Sequence, residues 1–144
     1  MAIAPVAPQG IHHLAVQCHD LIGMARFYER VLRLPVVRRW PNDNPEHPGD
    51  RAVWLGLGTS VIALERVDVP AAPPEWRSQA PGLHLIALQI FSWSRQLWRD
   101  HLALHEVPIL YESAWTLYLR DPEGNRIGLS HFPDEEAVRQ RTRW

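Results

Sequence analysis

Gly10-Ile11-His12-His13-Leu14-Ala15-Val16-Gln17 returns later in the chain as Gly82-Leu83-His84-Leu85-Ile86-Ala87-Leu88-Gln89, with Gly, His, Ala and Gln matched at one offset of 72. Aliphatic residues occupy the other matched positions except 13, where His13 stands against Leu85, and a helical stretch followed by short strand-like runs succeeds each copy. A repeat of this length is a supersecondary unit that cannot bury its apolar face alone, so two such units are expected to pack together. The fixed register also lets each side chain be assigned to a face.

Residues 11–17 read as a strand. Asp20 is suited to N-cap a helix in which Leu21, Met24, Ala25, Tyr28, Val31 and Leu32 recur at helical spacing, with Pro35 beyond its end. Val36–Trp40 reads as a strand, and 41–49, with three prolines and a glycine, as a loop. Ala52–Leu57 and Val61–Arg66 form an expected hairpin about Gly58-Thr59. Residues 67–81 hold four prolines and read as a linker. The order then repeats. Leu83–Ile90 is a strand, Ser92 or Ser94 caps a helix carrying Leu97, Trp98, His101, Leu102 and Leu104, and Pro108–Glu112 and Trp115–Arg120 are strands. Asp121-Pro122-Glu123-Gly124-Asn125 is turn chemistry. Ile127–His131 closes the unit, and Pro133–Arg143 is a short polar helix or tail. The order βαβββ, twice, predicts an α+β fold.

The bulk composition narrows the function. The chain has 144 residues, a net charge of −1 and 15 basic residues, every one an arginine, so nothing in its charge calls for nucleic acid. One cysteine excludes an internal disulfide and fits a reducing compartment. No apolar run approaches the roughly 20 residues that span a bilayer, and the start lacks a signal-peptide pattern. The expectation is a soluble, cytoplasmic protein without nucleic-acid or membrane partners.

Several of these stretches carry a family resemblance: Ile11–Val16, Arg26-Phe27-Tyr28-Glu29-Arg30-Val31-Leu32-Arg33-Leu34-Pro35-Val36, Leu55-Gly56-Leu57-Gly58-Thr59 and Tyr118–Ile127 with its Asp-Pro-x-Gly-Asn turn. Together they resemble the vicinal oxygen chelate superfamily of glyoxalases, bleomycin-resistance proteins and extradiol dioxygenases. The resemblance implies one glyoxalase-like domain over 1–144, built from modules 10–66 and 82–131 joined by 67–81 and followed by a tail, 132–144. It also implies a cup-shaped mixed sheet with helices on its outer face, and a homodimer.

Strand alternation assigns the inner face. Ile11, His13, Ala15 and Gln17 are expected there, with Trp54, Val61, Ala63 and Glu65 in the first module. Leu83, Leu85, Ala87, Gln89, Thr116, Tyr118, Arg126, Gly128 and Ser130 are expected there in the second. Metal enzymes of the family take ligands at positions that correspond here to His13, Ala63, Leu85 and Gly128. Of these only His13 can bind a metal. His84 matches His12 by register, and both are expected to face away from the cup, packed near helix edges. The remaining histidines lack mutual ligand spacing and read as surface residues.

The expectation is therefore no cofactor, with a displaced divalent-metal site about His13 and Glu65 as the alternative. The leading reading is a metal-free binding protein of the bleomycin-resistance type. It would hold an aromatic or amphipathic small molecule through His13, Gln17, Trp54, Glu65, Leu85, Gln89, Thr116, Tyr118, Arg126 and Ser130, with Arg120 or Arg126 at the rim for an anion. A second reading is a lyase, isomerase or dioxygenase with a rearranged metal site, or with His13 as general base beside Glu65. A third is a structural or regulatory module whose cup is vestigial.

Overall fold

The computed structural model describes Met1 and residues 3–133, so the helix or tail expected beyond Pro133 lies outside the described residues. The chain divides into two compact units, Met1–Asp68 and the residues from Val69 onward. The first contains β1 (His13–Cys18), α1 (Leu21–Arg26), β2 (Val36–Pro41), β3 (Asp50–Leu57) and β4 (Ser60–Arg66). Its sheet runs β1-β4-β3-β2, with β1 parallel to β4 and the other pairs antiparallel. The second contains β5 (Ile86–Gln89), α2 (Arg95–Leu104), β6 (Tyr111–Glu112), β7 (Thr116–Arg120) and β8 (Arg126–Ser130). Its sheet runs β5-β8-β7-β6 in the same sense, β5 parallel to β8. Two mixed four-stranded sheets with helices make the α+β, two-module architecture that the repeat predicts.

The local causes are visible in the first unit. The Asp20 carboxylate accepts a hydrogen bond from the Gly23 amide at 2.9 Å and so satisfies one orphan donor of α1. After one and a half turns the helix widens into a π turn over Phe27–Val31, closed by the Leu32 amide donating to the Phe27 carbonyl at 3.1 Å. The extra residue per turn lets Phe27, Tyr28 and Val31 all be buried, along with Met24. Arg33 then takes a left-handed conformation and Pro35 ends the segment. α1 packs on β3 and β4, over Val53, Leu55, Ile62 and Leu64, each at most 1% exposed. The β3–β4 hairpin closes through Gly58-Thr59, with Gly58 at φ +56, a conformation that glycine adopts without cost.

The second unit departs from the expectation in its details. Its core is Leu102, Leu117, Leu119, Ile127 and Leu129. The paired part of β5 starts at Ile86 rather than Leu83, and β6 spans only Tyr111–Glu112 rather than Pro108–Glu112. Proline lacks the ladder donor, which keeps Pro108 out of the strand. A 3-10 turn over Ser92–Ser94 precedes α2, and Ser94 takes the N-cap position without a side-chain cap bond. Instead the Ser94 hydroxyl donates to the Phe91 carbonyl at 2.7 Å. The Asp121–Asn125 turn forms as read. The buried Asp121 carboxylate accepts from the amides of Glu123 and Asn125 at 3.0 and 2.9 Å and from the Asn125 side chain at 2.7 Å.

Residues 73–76 are not slack chain. The Pro74 carbonyl accepts from Arg120 at 2.7 Å, the Glu75 carbonyl accepts from Arg126, and the Trp76 ring meets Tyr118 edge-on at 6.1 Å. This part of the proline-rich segment straps the β7–β8 end of the second sheet.

Helix α2 is tied to the edge strand β6 by Glu112, which pairs with Arg95 at 3.4 Å and also with Arg99. The hydrogen bond from Arg99, backed by the charges of both arginines, holds the Glu112 carboxyl below its ordinary value against the opposing effect of desolvation. A depressed carboxylate contributes stability above its unfolded pKa, and the contribution is lost as pH falls through the folded one. Glu112→Gln is therefore expected to lower stability at pH 7 by less than about 1 kcal/mol, because the side chain is about one-third exposed. The deficit should vanish in denaturant titrations below about pH 4. A deficit that persists there would assign the effect to packing.

Candidate functional site

The register places the candidate residues of the first unit on one face of its sheet. In the parallel pair His13 lies beside Val61, Ala15 beside Ala63 and Gln17 beside Glu65, while across the hairpin Trp54 pairs with Ala63 and Ala52 with Glu65. His13 and Trp54 meet above β4 as a stacked pair, ring centroids 6.0 Å apart and 17° from parallel. Trp40, which sequence reading left out of the site, joins this face edge-on to Trp54 at 5.4 Å. The Arg38 guanidinium lies over the Trp40 ring at 3.7 Å. The signal for both was available, since period-two alternation on Val36–Pro41 puts Arg38 and Trp40 on one face, and Arg38 pairs with Trp54.

His12 does not face away. It precedes the first paired residue of β1, so strand alternation does not govern it, and its Nδ1 lies 2.9 Å from the Nδ1 of His13. Both rings are exposed, one nitrogen donating and the other accepting. His84 is likewise exposed rather than packed at a helix edge. Glu65 is not brought to His13. It stands four positions along β4 from Val61, the partner of His13, about 13 Å at the rise of a strand. Gln17 is its neighbour instead.

The second unit repeats the pattern. Ala87 lies beside Gly128 and Gln89 beside Ser130, while Tyr118 pairs with Gly128 and Thr116 with Ser130. The buried Thr116 donates its hydroxyl to Ser130 Oγ at 2.8 Å. Leu85 precedes β5 and approaches Gly128, where a Cβ would lie 3.5 Å from its Cδ2 and 3.1 Å from the Thr116 methyl. Gln89 is exposed and Tyr118 half-buried. Tyr111 tilts against Tyr118 at 5.5 Å. Arg126 is not a rim residue. It is 7% exposed, and its guanidinium donates to the carbonyls of His84, at 3.4 Å, and Glu75.

In both units, then, the middle of the inner face pairs one small residue with one large ring, Ala63 with Trp54 and Gly128 with Tyr118. These units recur over nearly the whole chain as one family pattern. The family model described as Glyoxalase/Bleomycin resistance protein/Dioxygenase superfamily matches residues 10–129.

The chain belongs to this superfamily.

Solved structures of the superfamily share its fold. A lactoylglutathione lyase from Agrobacterium tumefaciens is 19% identical, with 87% of this chain and 95% of that one covered at a TM-score of 0.65. A glyoxalase/dioxygenase from Nostoc punctiforme is 16% identical, with 93% and 100% covered at 0.71. The fosfomycin resistance protein FosX from Listeria monocytogenes is 14% identical, with 93% and 99% covered at 0.70. A variant of that protein has been solved with Mn(II) and dihydroxypropylphosphonic acid. The search of curated proteins found no match.

The four superfamily ligand positions in this chain do not fit a divalent ion. His13 offers an imidazole, but Ala63, Leu85 and Gly128 offer no donor atom, and the space at Gly128 is closed in by Leu85 and Thr116. Among the described residues no group of three or more His, Cys, Asp or Glu side chains is placed to hold a metal. No helix among them is long and apolar enough to cross a membrane.

One cleft of about 550 Å³ in the first unit holds none of the candidate residues. It runs along α1, bordered by Leu21, Ala25, Arg39, Asp50 and Val53. Two of its three acids are already engaged, Asp20 in capping α1 and Asp50 in an ion pair with Arg39 at 3.0 Å. It is the groove between helix and sheet.

Proposed function

We propose that this superfamily member is a small-molecule binding protein that holds an aromatic or amphipathic ligand against the ring-bearing faces of its sheets, without the superfamily's metal. The observation that carries this reading is the pairing of Trp54 with Ala63 and of Tyr118 with Gly128. Where a metal enzyme needs a donor, this chain has a small side chain and a flat apolar ring. Such a surface recognises a planar molecule by area and ring–ring contact. Gln17, Glu65, Gln89 and Ser130 lie on the same faces and supply polar contacts that orient it. A homodimer and a cytoplasmic location belong to the same proposal.

The test is isothermal titration with a neutral planar probe, 1-naphthamide, together with a thermal-shift panel of aromatic antibiotics and metabolites. Saturable binding supports the reading. Silence across the panel sinks it.

The second reading is catalytic, and the His12–His13 pair favours it. Whichever Nδ1 donates across that 2.9 Å contact leaves its own ring's Nε2 unprotonated, which is what a general base needs. The lyase named among the structural relatives gives that reading its precedent. Metal content separates a metal-dependent form of it from the binding reading. After incubation with excess Ni, Zn, Fe or Mn salts and desalting, the protein is expected to retain less than about a tenth of an equivalent, since one histidine among four positions cannot complete a site. Stoichiometric retention would restore the metal enzyme.

A further inference from the structure

On the inner face of the second sheet Arg120 stands directly opposite Arg126 in the antiparallel β7–β8 pair. Like charges placed opposite each other across strands are destabilising. Here neither has an ion pair among the described residues. Arg120 donates to the carbonyls of Gly124 and Pro74, and Arg126 to those of Glu75 and His84. Each guanidinium carries five N–H groups, so these bonds leave capacity on both. The Nε–H of Arg126 is shielded from solvent and has no partner among the described residues. Arg126 is 93% buried, since it is 7% exposed, and a buried charge without a counter-charge is costly.

Both guanidiniums also flank one ring. The Trp76 centroid is 5.3 Å from the Arg120 Cζ and 5.9 Å from that of Arg126, and Tyr118 stands edge-on to the same ring. The result is a positive corner with an aromatic wall, on a chain whose net charge is −1.

We infer that the Arg120–Arg126 corner is an oxyanion site, taking the carboxylate, phosphate or phosphonate of a small molecule whose planar body lies on Trp76 and Tyr118. The inference deepens the binding reading by giving the ligand a charge, and it rests on that reading only for the planar body. An oxyanion accepts from the N–H groups that the carbonyls leave unused, and it neutralises the opposed pair. Planar guanidinium forks suit that geometry better than ammonium groups. Backbone carbonyls alone make the corner a strap for residues 73–76, and a strap has no preference between a charged and a neutral ligand. That difference is the measurable one.

The experiment titrates the protein with 1-naphthoate and with 1-naphthamide, which share a ring system and differ in charge. Naphthoate is expected to bind at least about tenfold more tightly, the return on one charge-assisted contact. Arg120→Gln should remove most of that ratio, while Arg120→Lys, which keeps charge without the fork, should retain part of it. Because the readout is a ratio between two ligands on one variant, loss of stability cancels. Equal affinities in the unmodified protein, or a ratio unchanged in Arg120→Gln, would overturn the inference. Binding of naphthamide with no preference for naphthoate leaves the aromatic reading standing and removes the anion. Binding of naphthoate alone does the reverse. Binding of neither removes both.

Discussion

Trp54→Ala is expected to weaken 1-naphthamide binding on the first sheet, as distinct from any binding at Trp76 on the second, by about tenfold to a hundredfold, the equivalent of about 1.4–2.8 kcal/mol. The indole is the centre of the array on the first sheet, stacked on His13 at 6.0 Å and met edge-on by Trp40 at 5.4 Å. A planar ligand gains by covering that surface, and an aromatic contact is worth about 0.5–1.5 kcal/mol beyond the area it buries. Removing the indole deletes the ligand's wall and releases both neighbouring rings. The fold loses those two ring contacts as well, a cost of about 1–3 kcal/mol, so binding should be measured well below the melting temperature. Trp54→Phe keeps a smaller flat face and should fall between. Unchanged affinity in Trp54→Ala, with the protein folded by circular dichroism, would take the ligand off the first sheet. His13 would then need another role.

Gly124→Ala should be the more damaging change to stability, lowering it by about 3 kcal/mol. Gly124 has φ +87, a conformation that costs an L-residue about 1–2 kcal/mol. An added Cβ would also enter the space filled by the Pro73 ring. Overpacking of that kind costs about 1–3 kcal/mol. The neighbour cannot swing aside cheaply, because Arg120 bridges the Gly124 carbonyl to that of Pro74. Relief requires the strap to lift from the β7–β8 turn. Urea unfolding provides the check. A midpoint within error of the unmodified protein would show that the strap is loosely held. The same variant should also reduce the naphthoate preference, since the strap carries Trp76.

The strands and their faces were legible because period-two alternation is a local property. Leu14, Val16, Ile62, Leu64, Leu117, Leu119, Ile127 and Leu129 alternate with polar or small residues, and burial follows that alternation except where the inner face is itself covered, as at Ala63, Thr116 and Arg126. The N-cap at Asp20 and the Asp121 turn were legible for the same reason, since each is completed within four residues. Helix α1 was only half legible. Its apolar spacing marks a helix, but the π turn over Phe27–Val31 trades hydrogen-bond register for burial, and that exchange depends on the sheet beneath.

The candidate site divides along the same line. Alternation was enough to put His13, Gln17, Trp54 and Glu65 on one face. It could not tell that Glu65 stands four positions from His13's partner. It also misdirected His12, because alternation ends where the paired strand ends. The strap of residues 73–76 was invisible as anything but proline-rich chain, since its anchors, Arg120 and Arg126, lie more than forty residues away.

By itself the sequence determined the repeat, the order βαβββ in each module, and the absence of donor atoms at three of the four superfamily ligand positions. Those properties follow from residue identity and short-range spacing. Only the tertiary structure decided that rings stand opposite Ala63 and Gly128, that the two histidines turn toward each other, and that two arginines oppose one another with no acid paired to either among the described residues. Each is a pairing of groups distant in sequence or a matter of where a strand stops, and such arrangements are set by the packing of the whole unit.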